Sequence, residues 1–392
     1  MKSEPVAGVR PEVMRWARQS IGLSVSDVAL RLKRPVEEIE AWEADGPYPS
    51  YPQLEKLAYQ IYKRPLAVFF LPTPPEEISP AREFRTLPAE DLQSLAADTH
   101  LHIRRAHAYQ LALRELFGAR NPSEHCIWQE LSVSRARSVV EQAAAVRNYL
   151  GITLEEQIRW KGDEQALKKW RKAIEDKGIF IFKESFAQKD ISGFCLVDSQ
   201  FPVVYLNNGT TKTRQTFSLH HELAHLLLSV NGLSKFDQRY VERLPDQEKQ
   251  IEQFCNAIAA EILIPSPDFQ IQAKQFPADI ERATEQQFSD LAARYGVSRE
   301  AVLRRFLDQD RVTVTAAFYE QKAKAWAAQQ KKGGQGNWYA SQNVYLSDRF
   351  AREVVSRHYK NQLSVEQAAD MLGIKPKNFA GLEQRILQGV AA

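Results

Sequence analysis

FSLHHELAHLLL, residues Phe217 to Leu228, is the stretch on which the reading of this chain turns. His221 and His225 stand four residues apart, so on a helix both imidazoles project from one face and can share one metal ion. Glu222 follows the first histidine and lies beside the pair, within reach of a water held by such an ion. Leu219, Leu223, Leu226 and Leu227 recur at three- and four-residue steps and bury the opposite side. The spacing predicts a metal site on a buried helix.

Two imidazoles do not complete a catalytic zinc, which ordinarily takes three protein ligands and keeps a fourth position open. Asp246 to Pro265, DQEKQIEQFCNAIAAEILIP, reads as a second amphipathic helix, with Ile251, Phe254, Ile258 and Ile262 as its apolar stripe and Pro265 as its stop. Glu252 flanks that stripe, with Cys255 and Ala259 on its own side of the helix; Glu248 and Glu261 are rivals that spacing does not remove. Upstream, IFIF (Ile179 to Phe182), GFCLV (Gly193 to Val197) and PVVYLN (Pro202 to Asn207) read as three short strands. A small sheet feeding the HELAH helix would let an edge strand hold a peptide extended beside the metal.

These segments together resemble the ImmA/IrrE metallo-endopeptidases. There, a strand ending near an Asn leads to an Arg, a Phe, a Thr or Ser, HELxH, and then E-x-x-A-N-x-F-A-x-E-x-L-x-P. The chain offers VVYLNN (Val203 to Asn208), Arg214, Phe217, Ser218 and HELAH, followed by Glu252, Cys255, Asn256, Ile258, Ala259, Glu261, Leu263 and Pro265. It departs from the pattern at Cys255, usually Ala, at Ile258, usually aromatic, and at His220, where a small residue is common. Position by position, the resemblance implies Glu252 as the third metal ligand beside His221 and His225, and Glu222 as the general base. It implies Zn2+ as the cofactor, with Mn2+ or Fe2+ compatible with the same donors. It also implies a zincin-like fold and a regulatory endopeptidase that cuts a repressor or antitoxin-like protein to control gene expression, in stress response or toxin–antitoxin loci. His220 reads as a solvated or packing residue, with a spare ligand or hydrogen-bond donor as the rival, and the oxyanion stabiliser is left open among His220, Tyr205 and Tyr240. Ser229 to Pro245, between the two helices, is a candidate lid.

The remainder of the chain fits a soluble, intracellular protein. Its 392 residues, 44% hydrophobic and 26% charged, allow two or three domains with proper cores. Cys126, Cys195 and Cys255 show no pair spacing, so neither a disulfide framework nor a Cys-rich zinc module is expected. MKSEPVAG has no apolar h-region, and the densest apolar run, Leu66 to Leu71, is too short to span a bilayer. A cytoplasmic location without membrane contact is expected. The net charge of +3 is too small to argue for nucleic acid, so charge placement matters more.

Residues 8–72 read as five short helices resembling an Xre/Cro-like helix-turn-helix domain, with starts at Pro11, Ser24, Pro35, Tyr51 and Pro65. The third helix, PVEEIEAWEAD, carries Glu37, Glu38, Glu40, Glu43 and Asp45, and carboxylates facing phosphates cost affinity. A protein-docking role competes there with DNA binding. PTPPEEISP, Pro72 to Pro80, is a stiff linker, and residues 73–150 form a linker and helical bridge. The peptidase-like domain is placed at 151–270. Residues 271–392 form a helical tail with two helix-turn-helix-like segments, LAARYGVSREAVLRRF (Leu291 to Phe306) and AADMLGIKPKNFAGLE (Ala368 to Glu383). Arg294, Arg299, Arg304 and Arg305 make the first of these the more basic and the better candidate for touching nucleic acid, though two packed helices give the same pattern. Lys331 to Tyr339, KKGGQGNWY, lacks phosphate-loop spacing and reads as a connector.

The fold expected is therefore α+β, an all-α head, a small-sheet zincin-like domain and a helical tail. The partners expected are a repressor- or antitoxin-like protein substrate or a cognate toxin, with DNA and a second copy of the chain as further candidates. The rival reading is a DNA-binding regulator or antitoxin whose peptidase-like domain senses or binds a partner without proteolysis. Glu222 speaks for the enzyme, because a pure binding module has no use for a base beside the ligands.

Overall fold

A computed structural model describes residues 4–44, 46–77, 83–84, 92, 94–235, 238–308, 315–329 and 345–388. Lys331 to Tyr339 lies outside them. The fold is mixed α+β, and the chain divides into two compact units, Met1–Arg105 with Phe186–Gln188, and Ala106–Ser185 with Lys189–Ala392.

In the first unit, α1 (Pro11–Gln19), α2 (Val25–Leu32) and α3 (Val36–Glu43) are followed by Tyr51–Glu55, which continues as π-helix over Lys56–Tyr62, and by a 3-10 turn at Leu66–Phe70. Pro11 opens α1 where its missing N–H costs nothing. Ser24 and Asp27 form a reciprocal capping box at α2, and Lys33, in the left-handed region at φ 57°, turns the chain toward α3. The core holds Met14, Val28, Ile39, Trp42, Leu54 and Tyr62. Arg18 clamps Glu43 bidentately at 2.6 and 2.7 Å, tying α1 to the last turn of α3. One of the third helix's carboxylates is thus spent inside the unit.

The boundary between the units falls within α4 (Ala97–Phe117). The second unit is built on a four-stranded sheet, β1 (Phe180–Glu184), β2 (Ile191–Leu196), β3 (Val203–Asn207) and β4 (Gly232–Lys235), in the order β1-β3-β2-β4. β1 and β3 are parallel, and β2 is antiparallel to both β3 and β4. The three strands read from sequence are present. The fourth lies in the stretch read as a candidate lid, where GLSK is too short and mixed to signal a strand; β4 joins the sheet edge instead. β1 to β3 are buried almost throughout, which is why they read as unbroken apolar runs and not as alternation.

Across one face of the sheet lies α7 (Lys212–Leu227), flanked by α6 (Gly162–Asp176), α5 (Val139–Leu150) and α8 (Asp246–Leu263). The other face takes aromatic side chains: Tyr109 of α4 stacks on Phe182 at 3.9 Å, and Phe350 meets both edge-on. After α8 the chain forms α9 (Glu285–Tyr295), α10 (Arg299–Leu307) and α11 (Ala316–Gln329), then α12 (Asp348–Tyr359), α13 (Val365–Met371) and α14 (Phe379–Gln388). Phe269, Phe288, Tyr295, Val302 and Phe306 join the same core as the sheet and α7. Among the described residues no helix is long and apolar enough to cross a membrane.

Candidate metal centre

The HELAH helix is α7. Thr211 caps it, its side chain accepting from the Arg214 backbone N–H, and Leu219, Leu223 and Leu226 are driven into the core at about 1.5–3 kcal/mol apiece. That anchorage turns His221 and His225 toward α8, where Glu252 faces them. The three candidate donor groups converge: His221 Nε2 to His225 Nε2 is 3.1 Å, His221 Nε2 to Glu252 Oε2 3.2 Å, and His225 Nε2 to Glu252 Oε1 3.1 Å. All three residues are buried, and they form the one His/Cys/Asp/Glu group among the described residues whose donors can hold a metal ion.

The donor set fits a divalent cation. Two imidazole nitrogens aimed at each other and at a carboxylate leave at least one nitrogen facing another without reason unless a cation, or a proton on one ring, stands between them. Burial opposes charging His225, but Cys255 and Glu252 outweigh it, and the ring's pKa lies well above its ordinary value. Burial likewise works against the Glu252 carboxylate, yet His225 and His221 hold it well below the usual carboxylate range. The rivals from sequence stand elsewhere. Glu261 accepts from Arg305 and from the backbone N–H and hydroxyl of Ser266, and Glu248 lies in the first turn of α8, outside the cluster.

The surroundings orient these groups. Asn256 Oδ1 lies 2.9 Å from His221 Nδ1, accepting the ring proton that leaves Nε2 free as a ligand. Glu222 is buried; its Oε1 accepts a hydrogen bond from the Ser234 hydroxyl of β4, and its Oε2 is buried without a protein partner. Sequence reasoning missed Ser234, since its only signal, a polar residue in a four-residue strand, is visible once that strand is known. Gly232 packs against the His225 ring so closely that a Cβ would stand 2.6 Å from its Cδ2. Burial raises the thiols of Cys195 and Cys255, both free and both packed beside Glu222 and His225. A cleft of ≈ 30 Å³, room for one or two waters, opens beside the ligands and is bordered by Arg214, Phe217, Ser234 and Lys235.

His220 points away from the centre. Its Nδ1 meets the Thr216 carbonyl at 2.8 Å, Trp170 packs edge-on at 4.5 Å, and burial lowers its pKa to about 4. It is a packing residue, and the solvated role the sequence left open is excluded by its burial. Tyr205 is buried in β3, with its hydroxyl on Glu184, and the side chain of Tyr240 lies outside the described residues.

The comparisons with known proteins fall on this same region. Residues 174–307 match the IrrE N-terminal-like domain family. Over 123 residues the chain is 32% identical to the radiation response metalloprotease IrrE of Deinococcus radiodurans, a stretch covering 31% of this chain and 35% of that protein. The chain thus spans about a third of the length of the curated relative it matches. The segment holding the sheet, α7, α8 and α10 is therefore similar to the ImmA/IrrE metallopeptidases, as the two-segment motif implied.

Proposed function

We propose that this protein is a regulatory metal-dependent endopeptidase, holding Zn2+, or Mn2+ or Fe2+, through His221, His225 and Glu252. The observation that carries this reading is the convergence of three buried donors beside a buried carboxylate, Glu222, whose Oε1 is held by Ser234. A cation held there supplies Lewis acidity, making water a better nucleophile at neutral pH and a peptide carbonyl a better electrophile. Ser234 holds Glu222 Oε1, which fixes the carboxylate next to His221. Glu222 then takes the proton of the attacking water and returns it to the leaving amine. β4 is the sheet edge beside the cleft, and an extended peptide pairing with it runs past the centre. The cleft is too small for a folded domain, so the substrate presents an extended segment across its mouth.

The substrate class follows the family likeness, a repressor- or antitoxin-like protein, and the stress-response role is suggested by the relative's name. The N-terminal helices α1 to α3 and their two successors fit an Xre-like helix-turn-helix module joined to the peptidase. The test incubates native protein and Glu222→Gln, each with zinc or manganese, with proteins encoded beside it, and reads cleavage by mass spectrometry. Cleavage at one site by the native chain alone supports the proposal. Equal cleavage by both, or none of any neighbour, favours the non-proteolytic regulator or antitoxin.

A further inference from the structure

Three segments of this chain have the helix, glycine or lysine turn, helix pattern, and the structure distinguishes them. In the middle one three of the four arginines are engaged. Arg294 is bidentate to Asp268 at 2.8 and 3.0 Å, Arg305 is buried on Glu261 and Ser266, and Arg299 pairs with Glu285 at 3.2 Å. Its second helix, α10, is also packed against α11. In the first unit, α3 presents Glu37, Glu40, Ala41 and Ala44 along its outer side, and Arg34 beside it leans toward Glu38 at 3.8 Å. That face repels phosphate.

The tail differs. α12 sets Phe350 against Tyr109 and Phe182 and buries Ala351, Val354 and Val355; α13 adds Ala368 and Ala369, α14 adds Phe379, Leu382 and Ile386, and the three helices pack on one another. Ser364 and Gln367 form a capping box at α13, and Gly373, at φ 66°, makes the tight turn toward α14. The exposed stripe of the last helix and its lead-in runs Lys377, Ala380, Gln384, Leu387, without a carboxylate. Glu383 is instead engaged by the Tyr359 hydroxyl. Lys375 and Lys377 are exposed and make no ion pair among the described residues. Glu366 and Asp370 stand on α13 and reduce the charge of that neighbouring helix, leaving α14 and its lead-in as the cationic element.

We propose that α12 to α14 form a double-stranded DNA-binding module, with α14 entering the major groove, Lys375 and Lys377 on the phosphates, and Gln384 facing base edges. The docking follows the general geometry in which the second helix of such a pair lies in the groove with its N-terminal residues toward the base edges, so that the lead-in lysines fall beside the backbone. Glutamine and alanine on the outward stripe suit amide-to-adenine and methyl contacts. The reading is independent of the peptidase proposal, because no residue of the metal centre takes part.

The test is fluorescence anisotropy of the full-length chain with a labelled random-sequence 30-base-pair duplex, titrated between 50 and 200 mM KCl. Each phosphate contact contributes about 0.9 to the slope of log affinity against log salt. The double variant Lys375→Ala/Lys377→Ala is expected to lower the slope by about 2 and the affinity at low salt by about tenfold or more. Gln384→Glu, which puts a carboxylate at the groove, is expected to abolish binding. Lys33→Ala/Arg34→Ala in the first unit is expected to change neither quantity. All these residues are exposed, and unchanged melting curves establish that the variants fold. The proposal is overturned if the native chain does not bind at 50 mM KCl, if the tail variants bind like the native chain, if the Lys33/Arg34 variant is the one that loses binding, or if duplex RNA, whose major groove excludes a helix, binds equally well.

Discussion

Gly232→Ala tests the metal centre without touching a ligand. The added Cβ would stand 2.6 Å from Cγ and Cδ2 of His225 and 2.9 Å from its Nε2. Carbon atoms settle at about 3.6 Å, so either the ring or β4 must give way by about 1 Å. Neither has room: His225 is fully buried, and β4 is paired to β2 with the Gly232 N–H on Cys195 Sγ at 3.3 Å. A zinc–nitrogen bond tolerates about 0.2 Å of error, so a displaced ring stops being a ligand. The expected loss of zinc affinity is about 100-fold, or about 2.8 kcal/mol, and the overpacking itself costs about 1–3 kcal/mol of stability. Competition against a chromogenic chelator measures the first and thermal melting the second. Gly118→Ala, whose Cβ meets nothing within 4 Å but whose φ of +63° strains any side chain, serves as the control for backbone strain outside the centre and should leave zinc affinity unchanged. A Gly232→Ala chain that binds zinc within threefold of native would refute the packing argument.

Further outcomes follow from the same geometry. Ser234→Ala frees Glu222 Oε1, so kcat should fall by about 10- to 100-fold while zinc affinity hardly moves; equal losses in both would assign Ser234 to the metal instead. In EDTA, Glu252 contributes stability above the unfolded carboxyl's pKa of about 4.3, lost as pH falls through its lower folded value; His225 contributes below about 6.5, lost as pH rises through its higher folded value. This pair therefore stabilises the metal-free chain most between those two values, and zinc affinity should climb with pH as His225 gives up its proton; calorimetry and zinc titrations from pH 5.5 to 8 check both, and a pH-independent affinity contradicts the pairing. Arg305→Ala leaves Glu261 buried beside Ser266 without its cation, with an expected cost of about 3–5 kcal/mol in denaturant unfolding; a loss under 1 kcal/mol would mean the arginine is free for another partner.

Much of the centre was legible because its chemistry is local. His221 and His225 need only one helix turn to meet, and the leucines that bury their helix repeat with the same period. Glu252 required more. Spacing left Glu248 and Glu261 standing, and what separates them is tertiary: Arg305, far along the chain, takes Glu261, while the tilt of α8 against α7 brings Glu252 to the histidines. The three early strands announced themselves as apolar runs, but their order did not, since pairing β3 between β1 and β2 is a long-range choice. β4 was hidden by its length. The basic stretch from Arg294 to Arg305 left packing and nucleic-acid contact equally open, because the partners of Arg294, Arg299 and Arg305, namely Asp268, Glu285 and Glu261, are nearby only after folding.

The most direct test of the central claim is the metal content of the native chain by elemental analysis, beside His221→Ala, Glu252→Ala and Glu222→Gln. The account predicts about one zinc or manganese per chain in native protein and in Glu222→Gln, and loss of it from both ligand variants. A native chain that holds no divalent metal even after reconstitution, or ligand variants that hold it as well as native, would contradict the account.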